Sequence, residues 1–325
     1  MLLPELRLAR YRFTLTCTTR LEWGSLPGST LRGAFGAVFR RLICVTQQPV
    51  CEGCLLRHQC AYGYLFETAP PPQSIRLRNQ EQIPRPFVFE PPEPPRSAYE
   101  ANETFHFHLV LVGRALDYLP YFVYVFQQLS TQGLGRGYRQ DQGRYHLTGV
   151  SMSQPDDLWQ SIFDGQVIHM VFPDTLSTTT LAQQVAHLSS SRITIHFHTA
   201  TRIQQESKYL HRFEFHHFIR TLLRRISTML YFHCNHTLDM DFVGLIRQAE
   251  QVRIVQDGRR WQAQHRFSSR QQAEVRMDGV VGPVTFEGNL APFLPLLVLG
   301  QWLHVGKGCV MGLGRYELAS DNNQP

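Results

Sequence analysis

The sequence predicts an α+β chain made of two similar halves, and three observations carry that prediction. Each half can be read as strand, helix, strand, strand, helix, strand, which is the split βαβ order of a ferredoxin-like domain. A Leu-Pro helix followed by a Gly-Leu-Gly-Arg stretch occurs in both halves, first at Leu119 and Gly133, then at Leu294 and Gly312, with offsets of 175 and 179 residues. That is an internal repeat with four extra residues in the second loop. A His-x-His strand also occurs twice, at His106/His108 and His196/His198, and alternation puts each pair on one sheet face.

The elements follow in order. Residues 7 to 18 alternate in polarity and are rich in aromatic and β-branched residues, so they read as a strand. After the turn at Leu26-Pro-Gly-Ser, Ser29 or Thr30 is placed to cap a helix whose apolar stripe is Leu31, Ala34, Phe35, Val38 and Leu42. A Cys-rich and then Pro-rich insertion spans 44–95, with nine prolines between Pro70 and Pro95 and a short strand at Phe87-Val-Phe. A clear strand starts at Glu103. Asp117 is expected to cap a helix from Tyr118 to about Ser130 that tolerates Pro120 in its first turn, and a strand near Arg144–Val150 closes the first domain, 1–150. Residues 151–190 read as a polar linker. The second domain, 191–325, repeats the plan: a strand at Ser191–Thr201, a helix from Tyr209 to His233, strands near Arg260–Phe267 and Val280–Glu287, a helix at Leu290–His304, a Gly-rich loop and a strand at Arg315–Leu318.

Composition narrows the function. At 325 residues the chain is long enough for two cores, which excludes a disulfide-stapled mini-protein. No apolar run approaches the roughly 20 residues that a membrane span needs. The start, with acidic and basic residues inside its only apolar stretch, does not read as a signal peptide, so the cytoplasm is the expected compartment. Lys+Arg outnumber Asp+Glu by 32 to 26, and only Lys208 and Lys307 are lysines. Arginine therefore supplies nearly all the positive charge, which suits bidentate phosphate contacts and stacking on bases.

Four of the seven cysteines, Cys44, Cys51, Cys54 and Cys60, form a C-x6-C-x2-C-x5-C cluster. Without a secretion signal, such a cluster points away from disulfides. Four thiolates in so short a span suit a closed tetrahedral structural zinc site; an iron–sulfur cluster uses the same ligands, and four unmetallated thiols are the plain alternative.

The stretch Gly306-Lys-Gly-Cys-Val-Met-Gly-Leu-Gly-Arg-Tyr carries Gly306, Gly308, Gly312 and Gly314 with Lys307 and Arg315, and reads as a loop whose backbone N–H groups face phosphates. It follows a helix and precedes a strand, the reverse of the P-loop and dinucleotide motifs, so NTPases and nucleotide-dependent oxidoreductases drop out. A tight helix-to-strand turn uses the same glycines for geometry alone. In the long second-half helix Arg212, His216, Arg220 and Arg224 fall at four-residue steps and form a basic ridge; a solvated face is the alternative.

Four segments carry a family resemblance: Leu26-Pro-Gly-Ser-Thr-Leu-Arg-Gly-Ala-Phe-Gly, Cys60-Ala-Tyr-Gly-Tyr-Leu-Phe-Glu, Phe286-Glu-Gly, and Leu303-His-Val-Gly-Lys-Gly-Cys-Val-Met-Gly-Leu-Gly-Arg-Tyr. They resemble the CRISPR repeat-processing endoribonucleases of the RAMP superfamily over nearly the whole chain. The resemblance implies tandem RRM-related domains that bind CRISPR repeat RNA and cut it once without a catalytic metal, by attack of a ribose 2′-hydroxyl on the next phosphate. The RNA-binding residues expected on this basis are Arg32, Arg40 and Arg41 of the first helix, Arg136 and Arg139, the ridge Arg212, Arg220 and Arg224, and the loop residues Gly306, Gly308, Gly312, Gly314 and Arg315. Family members often carry a histidine just after Arg-Gly-x-Phe-Gly, where this chain has Ala37. His304, three residues before Lys307, is then the first choice of general base and Lys307 of phosphorane stabiliser, with His58 second; His211 and the His-x-His pairs read as solvated. The alternative function is a non-catalytic RAMP subunit that holds guide RNA among other subunits of a CRISPR effector complex.

Overall fold

The computed structural model describes residues 6–71, 74, 83–154, 158–169, 178–268 and 272–319. Residues 72–73 and 75–82 of the expected insertion, and 155–157 and 170–177 of the expected linker, lie outside that set. The chain divides into two compact units, the first of residues 7–175 with 232–235 and the second of 1–6, 176–231 and 236–325.

The first unit opens with β1 (Leu8–Cys17), in which Tyr11, Phe13, Leu15 and Cys17 are buried while Arg10, Arg12, Thr14 and Thr16 take the other face. The two-residue β2 (Leu21–Glu22) leads to α1 (Pro27–Ile43), which starts on proline, where a missing N–H costs nothing. Leu26 precedes it with no side-chain cap, so Ser29 and Thr30 lie inside the helix instead of capping it. Next come β3 (Phe87–Glu90), β4 (Ala98–Tyr99, paired with β2) and β5 (Thr104–Val112). Then α2 (Leu119–Gln132), β6 (Tyr145–Ser153) and β7 (Trp159–Phe163) complete the unit. Asp117 does not cap α2; it lies in a 3-10 turn and pairs with Arg7 at 3.5 Å.

The sheet order is β3-β5-β1-β6-β7, all antiparallel, and its first four strands are those of a ferredoxin-like fold. Two parts of the predicted layout shift. β3, within the expected insertion, is a fully buried sheet strand, and β7, within the expected linker, is a fifth strand. The core is aromatic: Phe35 of α1 stacks on Phe122 of α2 at 4.2 Å between ring centroids, and Phe13 stacks on Phe107 across the strands at 4.9 Å.

The second unit contains α3 (Thr178–Ala186), β8 (Arg192–Thr201), the hairpin β9 (Gln204–Gln205) and β10 (Lys208–Tyr209), α4 (Phe215–His233) and α5 (Phe242–Ala249). These precede β11 (Arg253–Asp257), β12 (Arg260–Gln262), the hairpin β13 (His265–Ser268) and β14 (Ala273–Arg276), β15 (Gly279–Glu287), α6 (Leu294–Leu303) and β16 (Tyr316–Ala319). Strand order β11-β15-β8-β16 repeats the pattern, so the two units are tandem ferredoxin-like folds. α3 packs on α6 although it falls in the expected linker. β11 was not foreseen because its residues are largely exposed and carry no apolar alternation. α4 begins at Phe215, so Arg212 lies ahead of the helix, outside the expected ridge.

Because Phe35 is fully buried among Phe39, Phe66, Phe89, Phe122 and Phe126, Phe35→Ala is expected to destabilise the first unit by about 3–5 kcal/mol. A denaturant titration followed by near-UV circular dichroism reads this as a lowered midpoint.

Candidate nucleic-acid interface

The Gly-rich loop of the second unit joins α6 to β16 and is sealed by bonds to the end of β8. The N–H of Lys307 donates to Arg202 O (3.0 Å), that of Val305 to Gly314 O (3.0 Å) and that of Gly314 to Ala200 O (3.2 Å). The Thr199 hydroxyl accepts from the Arg315 N–H at 2.9 Å and donates to Gly312 O at 2.8 Å. Arg225 Nε donates to Leu303 O at 2.6 Å and so satisfies a carbonyl at the C-terminus of α6. Gly314 has φ +71°, and a Cβ there would collide with the Val305 carbonyl, so only glycine closes the loop.

This arrangement corrects the expected phosphate cradle. The N–H groups of Val305, Lys307, Met311, Gly312, Gly314 and Arg315 are all used within the unit, so Gly312 and Gly314 serve the turn's geometry. What the loop offers outward is the exposed Lys307 side chain. Arg315 pairs with Glu317 at 3.0 Å. Cys309 is buried, which pushes its thiol pKa up, and donates to Gly306 O.

His304 is also corrected. It caps α6 at φ 60° and ψ 173°, is 0% exposed, and its Nδ1 lies 3.1 Å from Leu313 O. A ring so enclosed does not meet an RNA; it holds the two arms of the loop together.

The first unit carries a loop with the same closing bonds. Leu134 N–H donates to Gly143 O, Arg136 N–H to Glu22 O and Gly143 N–H to Arg20 O, while the Thr19 hydroxyl accepts from Arg144 N–H at 2.9 Å and donates to Asp141 O at 3.3 Å. Every loop residue has its counterpart 171 positions on, and every partner at the strand end 180 positions on. The 3-10 turns Tyr138–Gln140 and Cys309–Met311 correspond, as do the bonds from Tyr145 Oη to Phe126 O (2.6 Å) and from Tyr316 Oη to Leu297 O (2.7 Å). The extra four residues therefore belong to α2, one turn longer than α6, and the two loops are equal in length. In this register Arg136 matches Lys307, and Gly133 matches His304.

The other expected RNA contacts are scattered. Arg40 donates to the carbonyls of Gln48 and Pro49, and Arg32 lies 5.3 Å over the Phe66 ring, while Arg41 and Ala37 are exposed. Arg220 and Arg224 are exposed on α4. The His216 ring lies 3.9 Å, centroid to centroid, from that of His217, whose pKa is lowered by burial and by His216 and Arg220.

Sequence reasoning missed Arg202, which anchors the loop. Its guanidinium donates to the carbonyls of Asp278 (3.1 Å) and Arg276 (3.2 Å) and stacks 4.2 Å from the Tyr209 ring centroid. Arg276 itself is 81% exposed, and its register partner His265 is exposed too. No local motif marks these residues, because the contacts join β8, β10 and the end of β14.

Cys44, Cys51, Cys54 and Cys60 line one cavity of about 20 Å³ at the C-terminus of α1. The sulfurs of Cys44 and Cys54 lie 3.8 and 3.6 Å from Thr46 Oγ1. Burial raises the Cys44 pKa, but hydrogen bonds from Thr46, Gln47 and Arg40 outweigh it and hold the thiol below its usual range. Among the described residues, no three or more His, Cys, Asp or Glu side chains are gathered closely enough to hold a metal ion. Nor does any described helix have the length and apolarity to cross a membrane.

Comparison with known proteins places this geometry. Residues 6–174 match a family model described as an N-terminal domain (AF_1859_N), and residues 195–316 match the CRISPR-associated endoribonuclease Cas6 model. An uncharacterized protein of Archaeoglobus fulgidus is 26% identical over 156 residues, 48% of each chain. Among solved structures, a partial Cas6-RT-Cas1–Cas2 complex aligns with all of this chain and 48% of its own at TM-score 0.58 and 15% identity. The chain thus spans about half the length of both of these proteins. A Cas6 product complex aligns at TM-score 0.58 and 14% identity over 96% of this chain and 99% of its own, and a Thermus thermophilus Cas6 at 0.52 and 12% over 97% and 100%. The chain thus belongs to the family whose N-terminal domain model (AF_1859_N) matches its first unit, its second unit matches the CRISPR-associated endoribonuclease Cas6 model, and its tandem ferredoxin-like fold is similar to that of Cas6 structures.

Proposed function

We propose that this chain binds CRISPR repeat RNA and cuts it once without a catalytic metal. A ribose O2′ loses its proton to a base and bonds to the adjacent phosphorus; the P–O5′ bond breaks, and O5′ takes up a proton. The products are a 2′,3′-cyclic phosphate and a 5′-hydroxyl. The observation that carries this reading is Lys307, an exposed ammonium on a loop fixed by backbone bonds to β8. A cation held rigidly where charge develops on a phosphorane costs little reorganisation when the reaction occurs. His304 positions that loop. The exposed His265 stands opposite Arg276, whose carbonyl is bonded by the same Arg202 that holds Lys307, and it is the imidazole assigned to accept the O2′ proton.

A non-catalytic role within a CRISPR effector complex is the second reading, favoured by Ala37 at the position where relatives often carry histidine and by the burial of His304. RNA and other CRISPR proteins are the partners that either reading implies.

We further propose that the four cysteines take up a structural zinc that would brace α1 to the segment after Cys60. Supporting this, four thiols line one cavity, Cys44 is the C-cap of α1, and the helical turn after Cys60 buries Leu65 and Phe66. The sulfurs would have to draw together, and zinc would stabilise the loop by holding all four.

Three outcomes are expected. Repeat RNA incubated in EDTA should be cut at one site, with cutting abolished by a 2′-deoxy substitution at that nucleotide; Lys307→Ala should slow it roughly 100-fold or more. Binding without any cut would favour the second reading. His304→Ala should lower stability by about 2 kcal/mol in a denaturant titration, through loss of a buried hydrogen bond, with RNA affinity little changed. Elemental analysis should find one zinc per chain, lost with Cys51→Ser together with Cys54→Ser, and chelation should lower Tm; metal-free protein with an unchanged Tm would contradict the zinc.

A further inference from the structure

We propose that the loop of the first unit, Leu134–Arg144, is a second RNA-contacting site that takes a single-stranded nucleotide, its base on Tyr138 and its phosphates at Arg136 and Arg139. This deepens the RNA-binding reading above and rests on it.

One scaffold is used twice for different ends. Both loops have the same length, the same closing bonds and the same 3-10 turn at the tip. In the second unit the tip is spent on packing, with Cys309, Met311 and Leu313 buried. In the first unit the matching Tyr138, Gln140 and Gln142 are all exposed. Gly137 at φ 73° and Asp141 at φ 60° bracket the turn in left-handed conformation, so the tip is tight and its side chains are presented by a fixed backbone. Tyr138 is 48% exposed there. The turn does not need an aromatic ring in water for its own stability, since the counterpart turn forms with Cys309 in that place.

Charge selects the occupant. Arg136 stands where the other loop has Lys307 and is 65% exposed, sharing Glu22 at 3.2 Å. Arg144 is matched by Asp141 at 2.5 Å. Arg139 has no carboxylate partner among the described residues; its Nε donates to Tyr138 Oη at 3.2 Å, and its guanidinium lies 5.7 Å from that ring. An unneutralised arginine beside an exposed aromatic face is the combination that holds single-stranded nucleic acid, by stacking a base and pairing its phosphate.

The test uses the full chain, repeat RNA and a fluorescence titration at several salt concentrations. Arg136→Ala combined with Arg139→Ala should weaken binding by tenfold or more at low salt and reduce the salt slope by about 1–2, as lost phosphate contacts require. Tyr138→Ala should weaken binding by about tenfold with little change in slope. All three side chains are exposed, so Tm should stay at the wild-type value, which separates lost contacts from lost fold. If these variants bind RNA as the wild type does while Lys307→Ala loses affinity, the loop is not an RNA site. Wild-type protein that fails to bind repeat RNA would overturn the proposed function together with this inference. Unchanged RNA binding with lost binding of poly-glutamate would mark the loop as a protein-docking element and overturn the proposal.

Discussion

Two threonine hydroxyls set the geometry on which the rest depends. Thr19 and Thr199 stand at the ends of the first strand of their units, and each accepts an arginine N–H while donating to a loop carbonyl. Each hydroxyl thereby ties the loop's return to the strand it must reach before the last sheet strand can pair. Both hydroxyls are half-buried, and a hydroxyl that both accepts and donates has no cheap substitute, because removing it takes a partner from two backbone groups at once. The loops are then rigid enough to fix where Arg136 and Lys307 emerge.

The same constraint explains why the glycines say less about ligands than their number suggests. Gly143 and Gly314 have φ +71° and approach the Leu134 and Val305 carbonyls too closely for any Cβ. Most loop N–H groups are consumed by the turn, so binding falls to side chains on its rim. His304 shows the same economy: in the position of Gly133, a histidine at positive φ is held by enclosure and by Leu313. A positive-φ histidine that the surroundings over-determine has a part to play, and here that part is positioning.

Much of the fold could be read directly from the residues. The alternation in β1 and β5, the apolar stripe of α1 and the duplicated Leu-Pro helix starts led to two ferredoxin-like units, which the sheet orders match. The repeat was read in the wrong register after its helices, because Gly133-Leu-Gly-Arg and Gly312-Leu-Gly-Arg agree in letters while the backbone pairs Gly135, Gly137 and Gly143 with Gly306, Gly308 and Gly314. Letter identity favours whichever Gly-x-Gly is nearest; torsion angles and closing bonds do not slide. β11 and the Arg202 anchor escaped notice for a different reason: exposed strands lack alternation, and contacts between distant segments have no spacing to detect. Lys307 stands out in the sequence because it is one of only two lysines and sits in the densest glycine stretch; the burial of His304 does not show there, since helix-end histidines are as often solvated.

Both loops, as proposed above, contact bound RNA. Photo-crosslinking of bound repeat RNA followed by peptide mass spectrometry tests it most directly. The account predicts RNA-modified peptides containing Lys307 and, independently, peptides containing Tyr138 or Arg139. Crosslinks that spare both loops and fall instead on α1 or α4 would contradict it.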